Sequence, residues 1–378
     1  MSVQISYKKQ FTFGLMLFLV LLASVEIVIR VYEHINPVCD FYEKDAFFDI
    51  DFSLQKQICQ DTNYLQYEEP NILMVKPNQH FQTISINEYG FRGPEIDINK
   101  QSDTYRIFVV GGSTAFGHGS TSDLTTIPGF LQTIIDNSGI SKNIEVINAG
   151  KPRATSSDES FYIENHLRNY EPDLIIIYDG ANDARGKYLD KAIIAKTTSE
   201  LSIFENIKRY GAFEKGAQIY RTPFVINDFF IDLNRNIIGQ KTTYNDSDDE
   251  LVKKISSMWT ERWIDICYEN KLENISTVII LQPMVGTGSK VLSPDELTFL
   301  PIHAVQHDSI SILEEMSLSL PALDEHCTKT ADFRNIFDNT SRPIFYDDVH
   351  VVDKGNEIIA REIFSLITPL LDNHNDNS

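Results

Sequence analysis

Three short segments hold the side chains that could do chemistry. In the first, Phe108-Val109-Val110-Gly111-Gly112-Ser113-Thr114-Ala115-Phe116-Gly117, an apolar run ends in glycines that turn the chain, with Ser113 at the turn. A hydroxyl there projects from the carboxyl edge of a parallel sheet, where α/β folds place their sites, and neighbouring backbone N–H groups can face a developing oxyanion. A glycine loop that cradles phosphate is the competing reading, but no GKS/T pattern or GxGxxG follows the run. The second segment, Asp179-Gly180-Ala181-Asn182-Asp183, follows another apolar run and offers the Asn182 amide as a donor to an oxygen that becomes negative. By itself Gly-x-Asn-Asp is an ordinary turn. The third, Asp347-Asp348-Val349-His350, offers an imidazole that could take the Ser113 proton. Asp347, three residues earlier, could fix its tautomer and stabilise its charge. A histidine beside an acidic pair is otherwise a solvated loop residue.

The elements that must position these segments alternate after Asp103 between apolar runs and helix-length stretches, the pattern of a parallel sheet covered by helices. Strands are predicted at Tyr105–Val110, Ile144–Asn148, Leu174–Tyr178, Thr277–Leu281 and, briefly, Pro343–Tyr346. Helices are predicted at Thr125–Asn137, Ser157–Asn169, Val305–Ser317 and Lys354–Leu371. Together they make an α/β, flavodoxin-like three-layer sandwich, 104–371. The stretch 187–273 exceeds any connection such a fold requires and reads as an inserted cap. Before the sandwich, 31–103 is aromatic-rich and aperiodic, a juxtamembrane extension packed on the main domain. Its Asn87–Gly93 loop combines turn glycines with Tyr89, Phe91 and Arg92 and reads as structural. Residues 372–378 read as a disordered tail.

Taken in order, the Ser block, the Gly-x-Asn-Asp block and the late Asp-x-x-His block, each at a strand end, resemble the signature of the SGNH/GDSL hydrolases over about Tyr105–Leu371. The resemblance implies that Ser113, Asp347 and His350 form a catalytic triad. It also implies an oxyanion hole from the backbone of Ser113, the backbone of Arg153 and the side chain of Asn182. The implied activity is cleavage of acyl esters, of carbohydrate or lipid, through an acyl-enzyme. An acyltransferase would use the same residues, and a non-catalytic binding or scaffold protein would keep the fold without the chemistry. Two departures stand out. Gly112 occupies the place of the family's Asp in Gly-Asp-Ser, and Arg153 falls where the second block has a glycine whose N–H joins the hole. No cofactor is expected, and no His/Cys/carboxylate cluster has metal spacing.

Residues 1–10 carry Lys8 and Lys9 and read as cytoplasmic. Residues 11–29, from Phe11 to Ile29, are apolar enough for one transmembrane helix, with Glu26 and Arg30 spaced to pair at its end. A cleaved signal peptide is the rival reading, but Leu21–Ser24 offers no small-x-small site. The flanking charges favour an extracytoplasmic catalytic domain. Four cysteines, Cys39, Cys59, Cys267 and Cys327, can be fully paired there, with Cys39–Cys59 the first expectation and unconnected thiols the alternative. Sequons at Asn245, Asn274 and Asn339 fit export. A net charge of -21 would repel phosphate backbones, which excludes nucleic acid as a partner.

Overall fold

The computed structural model describes residues 6–35, 41, 44–68, 74–185, 249–300 and 307–372. Most of the expected cap therefore lies outside the described residues, as do Asn245, Cys39 and the 373–378 tail. The chain divides into two units. In the first, the described residues form one helix, Tyr7–Ile35, of which Tyr7–Tyr32 is long and apolar enough to cross a membrane. It extends past the expected span at both ends and takes in Lys8 and Lys9. Arg30 and Glu26 pair at 2.8 Å, as their spacing predicts.

The second unit is built on a five-stranded parallel sheet. A short antiparallel pair comes first, β1 (Gln79–His80) and β2 (Ser85–Ile86). The sheet strands are β3 (Thr104–Gly111), β4 (Asn143–Asn148), β5 (Leu174–Asp179), β6 (Ser276–Leu281) and β7 (Lys329–Asp332), in the order β4-β3-β5-β6-β7. Every residue of β5 is buried, which is why it reads as an uninterrupted apolar run: helices cover both faces. Against one face, the Ile127–Asp136 and Asp353–Asp372 helices pack around Leu131, Ile135, Ile359 and Ile363. Against the other, Ser156–Asn165, Asp249–Leu272 and His307–Asp324 pack around Trp259, Trp263, Leu313 and Met316. This is the flavodoxin-like three-layer order.

Two expectations are corrected. The fifth strand is Lys329–Asp332 and not Pro343–Tyr346. An edge strand, only partly buried, needs no apolar run, and Lys-Thr-Ala-Asp has none. The N–H groups of Ile344 and Phe345 instead donate to the buried Glu296 carboxylate, at 2.9 and 3.1 Å. Second, residues 249–272 of the expected cap are a helix of the fold's own layer, crossing from β5 to β6 and burying two tryptophans.

From Phe41 onward the described part of the extension is integral to this unit, while 31–35 belong to the first unit's helix. Phe41, Phe47, Ile58 and Cys59 form an apolar cluster with Tyr346 and Val352 near the far end of the chain. The Asn87–Gly93 loop is structural, as expected: Asn87 Oδ1 accepts from the N–H groups of Tyr89 and Phe91, both at 3.0 Å. Cys267 and Cys327 are bonded, tying the crossover helix to the turn before β7. Cys59 is also disulfide-bonded, while the expected partner Cys39 lies outside the described residues.

The Cys267–Cys327 bond closes 60 residues of chain. Replacing both cysteines by serine should cost roughly 2–4 kcal/mol, read as a lower Tm. An unchanged Tm would show that the bond does not form in the folded protein.

Candidate active site

Ser113 opens a single helical turn, Ser113–Phe116, entered through Gly112 and closed by Gly117 at φ +88. It stands where β3 leaves the sheet. Asn182 lies in the equivalent turn after β5, Ala181–Ala184, and β3 and β5 are neighbours paired as far as Gly111 and Tyr178. The sheet order reverses between these strands, which is where open α/β sheets bind ligands.

His350 comes from a tight loop held by an antiparallel bridge between Phe345 and Val351. Its Nε2 lies 2.7 Å from Ser113 Oγ, and its Nδ1 lies 2.6 Å from Asp347 Oδ2. The other Asp347 oxygen accepts the N–H groups of Val349 and His350, at 2.8 and 2.6 Å. Burial opposes ionisation of Asp347, but His350's charge, its ring hydrogen bond and the two N–H donors outweigh it. They hold the carboxyl well below the usual range. Asp347 thus stays an acceptor, and Nδ1 must carry a proton, leaving Nε2 to receive the one on Ser113.

The Asn182 amide reaches over Gly112 from the turn after β5. Its Nδ2 donates one hydrogen to Ala154 O at 2.7 Å, which fixes the group and leaves its second hydrogen for another acceptor. A Cβ on Gly112 would sit 2.5 Å from this nitrogen. Gly112 therefore leaves the room that the amide occupies. Lys151-Pro152-Arg153-Ala154 forms a turn closed by Ala154 N–H to Lys151 O at 3.0 Å. Arg153 takes φ +68 there, the third position of a type II turn with proline second. The strain of about 1–2 kcal/mol is carried by an exposed side chain where glycine would be free of it.

Several residues that support the site were not singled out for that role in the sequence. Arg92 buries its guanidinium and donates to the carbonyls of Gly117 at 2.7 Å and Thr83 at 2.9 Å while pairing with Asp123 at 2.7 Å. It thereby clamps the end of the Ser113 turn. Arg185 forms a bidentate pair with Asp348, joining the Asn182 turn to the His350 loop. Behind His350 lie Tyr346, stacked at 5.7 Å, and His118, whose ring centroid is 4.8 Å away. The Tyr346 hydroxyl donates to His118 O at 2.9 Å, so His118 Nδ1, also at 2.9 Å, is the donor to that hydroxyl. Burial, then His350 beside it, pushes His118 down to about 3, and it stays neutral.

Beneath Asn182 is a buried acid group. Asp183 accepts the N–H and hydroxyl of Ser156, at 2.8 and 2.6 Å, and Asp179 accepts Trp259 Nε1 at 3.0 Å. Glu159 is 1% exposed, and neither of its carboxyl oxygens has a hydrogen-bond partner. Burial above all, with Asp183 next, raises Asp179 to about 8, and burial keeps Glu159 protonated well above the usual range. Among the described residues, no group of three or more His, Cys, Asp or Glu is arranged to hold a metal ion.

No family model matches this chain, and no curated protein does. Solved structures do. An acetyl xylan esterase, AlAXEase, is 12% identical over 69% of this chain and 99% of its own, with a TM-score of 0.40. A catalytic mutant of Axe2, an acetylxylan esterase from Geobacillus stearothermophilus, is 13% identical over 70% and 94%, with a TM-score of 0.43. TesA is 12% identical over 70% and 99%, with a TM-score of 0.40. At these identities and TM-scores the likenesses assign no chemistry, which has to come from the site's own atoms.

Gly112→Ala should push the Asn182 amide off its present position and lower kcat on a short-chain ester by roughly 10²-fold, with Tm little changed. Full activity in that variant would show that the amide's position does not matter. An acid raised to about 8, such as Asp179, keeps in the folded state a proton that the unfolded chain has released. Its stabilisation is complete below the ordinary carboxylate range and is lost as pH rises through about 8. Tm should therefore fall between pH 6 and pH 8.5, and Asp179→Asn should flatten that fall. An identical slope in the variant would locate the titration elsewhere.

Proposed function

We propose that this chain is a serine esterase of the SGNH/GDSL type, held at a membrane by the Tyr7–Ile35 helix, that cleaves acyl esters through an acyl-enzyme. The observation that carries the reading is the unbroken chain from Ser113 Oγ to His350 Nε2 at 2.7 Å and from His350 Nδ1 to Asp347 at 2.6 Å. Ser113 Oγ attacks the ester carbonyl while its proton passes to His350 Nε2, and Asp347 stabilises the imidazolium that results. The negative oxygen of the tetrahedral intermediate takes the free Asn182 hydrogen together with the backbone N–H groups of Ser113 and Arg153. His350 returns the proton to the departing alkoxide oxygen, which releases the alcohol. It then deprotonates the water that frees Ser113 from the acyl group.

Lys8 and Lys9 before the apolar helix support a cytoplasmic N-terminus and an extracytoplasmic catalytic domain. The Cys267–Cys327 bond supports the same side, since disulfides persist outside the reducing cytosol. An O-acylated glycan at the cell surface is the substrate that this location favours.

A fluorophosphonate probe should label the parent protein and fail to label Ser113→Ala, whose Tm should match the parent. Labelling of the Ser113→Ala protein would remove Ser113 as nucleophile. Asn182→Ala should lower kcat by about 10²-fold to 10³-fold with KM nearly unchanged, because the donor acts mainly on developing charge. A destabilised but fully active Asn182→Ala would make it a turn residue only.

A further inference from the structure

His118 belongs to the Ser113 turn: its N–H donates to the Ser113 carbonyl at 2.9 Å, and its ring centroid lies 4.8 Å from that of His350. A closed pair of hydrogen bonds fixes its tautomer. The Tyr346 hydroxyl gives its only hydrogen to the His118 carbonyl, at 2.9 Å, so towards the ring it can only accept, and His118 Nδ1 must be the protonated nitrogen. The neutral ring then presents Nε2 as an acceptor. His118 is partly exposed, and Nε2 is neither closed off from solvent nor met by a donor among the described residues. The rest of the ring is enclosed, with Phe41 edge-on at 5.2 Å and Tyr346 at 6.3 Å. Burial first, then the charge of His350, keeps the imidazole from taking a second proton. Packing alone would ask no more of this position than an aromatic ring. A tautomer held by a buried tyrosine matters where the opposite nitrogen has a hydrogen to receive.

In the esterase reaction His350 Nε2 faces both Ser113 and the departing alkoxide oxygen, so the alcohol part of the ester lies against His350, beside His118. The carbonyl oxygen goes instead to Asn182 and the backbone donors. A hydroxyl one carbon beyond the ester oxygen, as in the ester of a diol or a sugar, carries the hydrogen that Nε2 lacks. A simple alkyl chain in the same place would displace water from Nε2 and offer nothing in return. We propose that His118 determines specificity on the alcohol side of the substrate: its Nε2 accepts a hydrogen bond from a hydroxyl neighbouring the scissile ester, so the site selects esters of vicinal diols over esters of simple alcohols. The inference rests on the esterase reading and narrows it to esters of polyols.

The test assays the full-length protein in detergent micelles on ethylene glycol monoacetate and on its methyl ether, which lacks the hydrogen that Nε2 would receive, each rate being taken relative to hydrolysis by hydroxide. In kcat/KM the free hydroxyl should be favoured by roughly tenfold. His118→Phe should bring the two esters level, and His118→Gln, whose side-chain oxygen can accept, should restore part of the preference. Tyr346→Phe keeps a ring against His350 but releases the His118 tautomer, so it should lower the preference too. A role confined to packing would slow both esters alike and leave their ratio unmoved in all three variants. The proposal would be overturned by equal rates on the two esters in the parent, or by an unchanged ratio in His118→Phe or, should that variant not fold, in Tyr346→Phe. A hydroxyl preference found only on the acyl side, for ethyl glycolate over ethyl methoxyacetate, would overturn it as well. So would a parent that hydrolyses neither acetate, and fluorophosphonate labelling of Ser113 then shows whether the esterase reading survives.

Discussion

The site depends on a backbone approach that leaves no space for side chains. Where β3 and β5 run out together, a Cβ on Gly111 would lie 2.3 Å from Tyr178 O, and one on Gly112 would lie 2.5 Å from Asn182 Nδ2. On the other flank a Cβ on Gly150 would lie 2.2 Å from Phe116 N. Main chain meets main chain at Gly111 and Gly150, while the Asn182 side chain fills the space over Gly112. Contacts this short exclude any residue larger than glycine, so the sheet fixes the Ser113 turn and the Ala154 carbonyl fixes the amide beside it.

Around that contact the protein places buried polar groups as braces. The carbonyl of Phe116, one turn after Ser113, accepts from Asn148 Nδ2 at 3.1 Å and from Arg92 Nη1 at 3.3 Å. Asp183 braces the start of the Ser156–Asn165 helix, and Arg185 with Asp348 ties the Asn182 turn to the histidine loop. Each brace joins two of the chemical segments or fixes the backbone beside one. The segment before the sheet contributes Arg92 and Phe47, so it belongs to the second unit as fully as the strands do.

Much of this was legible in the sequence because burial on both faces writes strands as apolar runs, and because turn glycines mark where chains leave a sheet. Four of the five strands, and the shared sheet edge of Ser113 and Asn182, follow from those signals, whereas the place of His350 came from the resemblance. Lys329–Asp332 does not, since an edge strand is specified by its neighbour's hydrogen bonds and not by its own side chains. Arg92 is visible as a residue in a turn-rich loop, yet nothing local says that its partners include the carbonyls of Phe116 and Gly117, more than twenty residues away. The 249–272 helix falls within the stretch that reads as a cap, because its two tryptophans are core anchors only once β6 is in place. Arg153 was placed by resemblance, and its positive φ shows why glycine is at home in that position.

The cluster of Phe41, Phe47 and Tyr346 joins segments far apart in the sequence. Arg342 reaches Asp49 across 293 residues, and His350 reaches Ser113 across 237. Contacts of such separation form only after most of the chain exists, and they carry the loop-closure entropy that slows folding. The aromatic segment around Phe41 and Phe47 must wait, with its apolar surface uncovered, until Tyr346 and Val352 have been made. Because the imidazole that faces Ser113 lies 237 residues after it, a chain not yet extended past His350 would hold the hydroxyl without its hydrogen-bond partner.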